Sequence, residues 1–71
     1  MSKYTVVIED AGPNFSAYVP DLPGCVSAGY TLEEVTANIQ EAMALHIESL
    51  IEHGEEVPQP SSQVFLVDVV S

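Results

Sequence analysis

The side chains best suited to chemistry are Cys25, His46, His53 and a set of carboxylates. Cys25 is the only cysteine and lies in the stretch YVPDLPGCVSAG, Tyr18 to Gly29. A cysteine nucleophile needs a nearby base and a lowered pKa. The bases on offer are His46 and His53, but no Cys-His-Asn signature is present, and an acid-rich chain disfavours a thiolate. The other reading is a small apolar plug where a strand begins, a role in which free cysteine packs well. The second reading fits better. Pro20, Asp21, Pro23, Gly24 and Cys25 then form a structural turn between two strands, with Gly24 free to take a positive φ.

The histidines are seven residues apart, whereas a helical zinc pair needs i, i+4 spacing. His46 falls on an apolar helical stripe and reads as a core histidine. His53 falls in the last helical turn, where positive charge is favourable. Glu9, Asp10, Asp68 and a helix glutamate could gather around Mg²⁺, as in two-metal nucleases. Lys3 is the only Lys or Arg, however, so little is available to hold a phosphate. A glycine-rich phosphate loop is also missing. No catalytic residue, metal ligand or cofactor is expected, and the chain does not read as an enzyme.

The elements that would position these residues can be read along the chain. Residues 4–9, YTVVIE, are β-branched and aromatic and predict a strand. DAGPN suits a hairpin loop. Residues 15–19 alternate Phe15, Ala17 and Val19 with Ser16 and Tyr18, as a strand with one buried face does. Pro20 ends it, because proline supplies no ladder donor. Residues 25–30 read as a third, short strand. Thr31 and Glu34 have capping-box spacing, and Glu33 and Glu34 lie at the positive end of a helix dipole. The helical pattern runs to about His53, with Gly54 as its stop, a length of roughly 33 Å.

Val35, Ile39, Ala42, His46 and Leu50 form the apolar stripe of that helix, flanked by Met43. Glu34, Glu41, Glu48 and Glu52 fall on the opposite side. Ile47 and Ile51 lie beyond one edge of the stripe, where a second subunit could cover them. Residues 54–63 form a polar, Pro-containing connector. Residues 64–70, VFLVDVV, predict a fourth strand, apolar on both faces apart from Asp68. The expected fold is therefore α+β: a β-β-β-α-β two-layer domain, one long helix on a four-stranded mixed sheet.

Composition limits the partners. The chain has 71 residues, enough for one small domain whose stability would gain from self-association. Eleven acidic residues against one basic residue give a formal charge of −10. Such a chain repels nucleic acid and attracts basic partners. A hydrophobic content of 46% argues against disorder. Neither an export signal nor a membrane-length apolar run is visible, so a soluble, cytoplasmic protein is expected.

Three motifs together carry a resemblance. YVPDLPGC is followed by GYTLEE, then by a helix containing NIQEA, then by GEEVPQP. From Tyr4 to about Val69 the chain resembles the N-terminal domain of HicB-type antitoxins. The resemblance implies a degenerate ribonuclease H-like fold without a nuclease centre. It also implies a partner, the small HicA-type toxin, an mRNA ribonuclease that the antitoxin domain covers. Typical members add a C-terminal DNA-binding domain. This sequence stops at Ser71, so residues 1–71 are expected to form a single HicB-like domain without one.

The physical expectation is that a domain of charge −10 occupies the basic RNA-binding surface of such a toxin. Glu41, Glu48 and Glu52 are the candidate contacts. Ile47, Ile51, Phe65 and Val67 are the candidate interface of a homo-dimer or tetramer. The alternative function is an orphan acidic oligomeric binding or structural module with an unrelated protein or small-ligand partner.

Overall fold

The computed structural model describes residues 3–70. Three strands, β1 (Val7–Asp10), β2 (Phe15–Tyr18) and β3 (Val26–Gly29), precede one helix, α1 (Leu32–Glu52). The strands form an antiparallel sheet in the order β1-β2-β3. Ile8 faces Ala17 across the first pair, and Ala17 faces Ser27 across the second.

Hydrogen bonds outside the ladders fix the alternation of the sheet. Ala11 N–H donates to Asn14 O at 2.8 Å, and Val19 N–H donates to Cys25 O at 3.2 Å. In an antiparallel pair, hydrogen-bonded positions recur every second residue. Even-numbered β2 residues therefore bond to β1, and odd-numbered ones to β3. The next β1–β2 bonded pair after Val7 and Tyr18 would join Thr5 to Pro20. Proline has no N–H to give, so the ladder starts at Val7 rather than at Tyr4 as the β-branched run predicts.

The start of the helix is built as its sequence predicts. Thr31 Oγ1 accepts from Glu34 N–H at 3.0 Å, and the Glu34 carboxylate accepts from Tyr30 N–H at 2.9 Å. At the other end, Gly54 takes φ +68°. Gly54 N–H donates to Ile51 O and Glu55 N–H to Leu50 O, the paired bonds of a Schellman stop. His53 is the C-cap, with Nδ1 at 2.7 Å from Ser49 O. A carbonyl only accepts, so Nδ1 carries the proton.

α1 packs on β3 and β2 and leaves β1 largely uncovered. The core is Ala17, Val19, Leu22, Cys25, Val35 and Ile39. Tyr4, Val6, Phe15, Ala42, Met43 and Ile47 pack around it. Gly29 permits a close approach of β3 to the start of α1. A Cβ on Gly29 would lie 2.6 Å from the Val35 backbone nitrogen.

Two expectations are corrected here. The fourth strand is not part of the sheet: among the described residues the sheet has three strands, and residues 64–70 pair with none of them. A run that is apolar on both faces needs cover on both faces, and this domain offers it none. Ile47, expected beyond the core stripe, is half-buried against the core. The connector brings Val57 over that edge of the helix beside Tyr4, and the covered stripe widens to include Ile47.

Candidate partner-binding surface

The groups that suggested chemistry do not assemble. Cys25 is 3 % exposed, and burial pushes its thiol pKa up, away from a nucleophilic thiolate. Among the described residues no three of His, Cys, Asp or Glu converge to hold a metal ion. Asp10 instead accepts from Gly12 N–H at 3.0 Å within its own hairpin loop. Asp68 lies on the exposed segment 64–70, away from any cluster. His46 is half-buried on α1. Cys25→Ala is expected to lower stability by about 1 kcal/mol in denaturant titration while leaving partner binding unchanged.

The turn Pro20–Cys25 has a structural task that its sequence shows only in part. Gly24 takes φ +85°, as expected. Leu22 is fully buried and closes the turn: its N–H donates to Val19 O, and its carbonyl accepts from Cys25 N–H. Asp21 does something no local pattern reveals. Its carboxylate accepts four hydrogen bonds, each 3.0 Å, from the backbone N–H groups and hydroxyls of Ser61 and Ser62. Forty residues of chain separate the partners. Thr5 Oγ1 donates to Ser62 O, and the Tyr4 hydroxyl donates to Pro58 O. The connector is thus tied down beside the start of β1.

The backbone N–H of Ser62, then that of Ser61, holds the Asp21 carboxyl at about 2, below its ordinary 3.8. A depressed folded pKa means the tie contributes fully above about pH 4 and is lost as pH falls through about 2. The amide protons of Ser61 and Ser62 should therefore lose exchange protection with a midpoint near pH 2. Asp21→Asn should remove that pH dependence, and an unchanged profile in the variant would refute the tie.

Two sides of the helix differ in character. On the β3 side, Glu34, Glu41, Leu45, Glu48 and Glu52 share one exposed row at helical spacing. Glu34 is engaged by the cap, but Glu41, Glu48 and Glu52 come together there as the sequence predicts. Leu45, 58 % exposed, sits among the acids. Sequence reasoning passed over it, although a helical projection places it four residues after Glu41. A shallow groove of about 260 Å³ runs beside this row, lined by Ser27, Asn38, Glu41, Ala42 and Leu45. The Asn38 amide donates to Ala28 O at 2.8 Å and pins the helix to β3 there. On the β1 side, a groove of about 540 Å³ is lined mainly by Tyr4, Met43, Ala44, Ile47 and Val57. Ile51, 64 % exposed, lies on this side of the helix.

Among the described residues, a three-stranded antiparallel sheet under one long helix with an acidic outer row defines a small α+β module. The chain belongs to the HicB-like antitoxins of bacterial toxin-antitoxin systems, whose family model matches residues 4–68. An uncharacterized 14.9 kDa protein from the rep-hol intergenic region of Haemophilus phage HP1 is 40% identical over 94% of this chain. The chain spans 58% of that relative's length. A UPF0150 protein of Thermoplasma acidophilum is 41% identical, covering 92% of this chain and 96% of its own. Among solved structures, a chain of the HicA3 and HicB3 toxin-antitoxin complex superposes with a TM-score of 0.73 at 37% identity. That match covers 84% of this chain and 70% of the other. No helix among the described residues is long and apolar enough to cross a membrane.

Proposed function

We propose that this chain binds a small basic HicA-type ribonuclease toxin and masks its RNA-binding surface without chemistry of its own. The observation that carries this reading is the exposed row of Glu41, Glu48 and Glu52 around Leu45, beside the groove at the β3 edge. A surface that binds RNA is basic, and an acidic row competes for it. The carboxylates steer encounter, and Leu45 in its groove fixes the register. The match to a chain of a toxin-antitoxin complex supports the same partner class.

On this reading the protein acts in the cytoplasm as a homo-dimer or tetramer, and it makes no direct contact with nucleic acid. The ribonuclease H-like description belongs to the proposal too, because it needs a fourth strand beside the sheet. The rival reading, an orphan module with a small ligand, rests on the apolar groove at Tyr4, Met43 and Val57. A pull-down separates the two. Recovery of a small basic ribonuclease encoded beside this chain supports the antitoxin reading, and failure to bind that ribonuclease removes it.

A further inference from the structure

Residues 64–70 form a run of exposed apolar side chains. Val64, Phe65, Leu66, Val67, Val69 and Val70 are each at least 73 % exposed. The Cα radius of gyration is 13.9 Å, whereas a compact chain of this length has about 11 Å. The segment is an arm that projects from the domain. Its root is fixed, because Ser61 and Ser62 are held by Asp21, and Ser62 also by Thr5.

The opposite requirement exists at β1. With Val7 and Glu9 bonded to β2, the backbone groups of Val6, Ile8 and Asp10 point to the free edge of the sheet. Among the described residues no backbone bond outside the ladders reaches them. The other sheet edge is blunted, since the Asn38 side chain occupies Ala28 O there. Ile8, in register with buried Ala17, points toward the helix layer yet remains 36 % exposed, because α1 does not reach over β1.

We infer that two copies of this chain exchange arms, residues 64–70 of each adding as a fourth strand to the β1 edge of the other. Period-two alternation then puts Phe65, Val67 and Val69 on one face and Val64, Leu66, Asp68 and Val70 on the other. The wholly apolar face goes to the helix side, over Ile8 and toward Ile51. The face with Asp68 goes to solvent.

Charge selects the occupant. The arm carries one acid and no base in a chain of charge −10. A basic toxin gains nothing at so charge-poor a segment, whereas another acidic copy meets little repulsion there. Area agrees. Each buried apolar side chain removes on the order of 100 Å² from water, so two arms and the edges they cover reach the roughly 1,200–2,000 Å² of a stable interface. Main-chain bonds to Val6, Ile8 and Asp10 would satisfy an edge that otherwise invites aggregation. The acidic row lies on the β3 side, so exchange leaves it open.

The test is sedimentation of the full chain and three preparations. The wild type should be a dimer. Phe65→Asp with Val67→Asp in one chain should weaken self-association by more than about 100-fold, with the helical far-ultraviolet signal of α1 retained because the arm lies outside the core. Ile8→Asp should do the same from the edge. Mixing the two variants should give a heterodimer weaker than the wild-type dimer but tighter than either variant alone, since one intact arm meets one intact edge. A monomeric wild type, or a dimer that survives either the arm or the edge substitutions, would overturn the exchange.

Discussion

Gly29→Ala should leave little folded protein, with a loss of about 3 kcal/mol or more in denaturant titration. The new Cβ would stand 2.6 Å from Val35 N, 2.9 Å from Val35 Cα and 3.0 Å from Glu34 C. All three are backbone atoms, so no rotamer change relieves the clash. Only a shift of the whole first turn of α1 would, and that turn is held by the Thr31–Glu34 cap and by fully buried Val35. A domain of this size has a total stability of about 5 kcal/mol, so the loss consumes most of it. By contrast, Gly12 has open space around its Cβ position and is strained on substitution only through its φ of +96°. Gly12→Ala should therefore cost about 1–2 kcal/mol and remain folded. Equal losses at the two glycines would refute the close-approach argument.

Replacing Glu41, Glu48 and Glu52 together by lysine should slow association with a basic toxin by about 10- to 1000-fold. Three changes of two charge units each move the formal charge from −10 to −4. All three positions are exposed and none packs in the core, so stability should change little. Wild-type association should weaken steeply with added salt, and the variant should lose most of that dependence. Stopped-flow measurement at two ionic strengths reads both effects. An unchanged rate would move the interface off this face.

The parts of this fold that are local were legible in the sequence. The helix shows its cap at Thr31 and Glu34, its stripe at Val35 and Ile39, and its stop at Gly54. Phe15, Ala17 and Val19 show the buried face of β2 by alternation. The reading of Cys25 as a core residue was also available, because the chain carries no Cys-His-Asn signature and its acidity disfavours a thiolate. What the sequence could not show depends on distant partners. Asp21 looks like an ordinary turn residue, and its partners at Ser61 and Ser62 lie forty residues away. Ile47 joins the core only because Val57 and Tyr4 come to that side of the helix. Residues 64–70 announce a strand by their composition, but alternation cannot say which sheet, or which copy, supplies the neighbour.

The candidate surface divides the same way. Glu41, Glu48 and Glu52 follow from helical spacing, and Leu45 could have been read from the same projection. The groove beside them depends on how α1 seats against Ser27, and only the packing reveals it.

The central claim is that this chain silences a basic ribonuclease by covering its RNA surface with the acidic row of α1. Its most direct test is RNA cleavage by a HicA-type ribonuclease titrated with the wild-type chain and with the Glu41, Glu48 and Glu52 to lysine variant. Cleavage should stop at stoichiometric wild type and persist with the variant. Cleavage untouched by the wild type, or stopped equally well by the variant, would contradict the account.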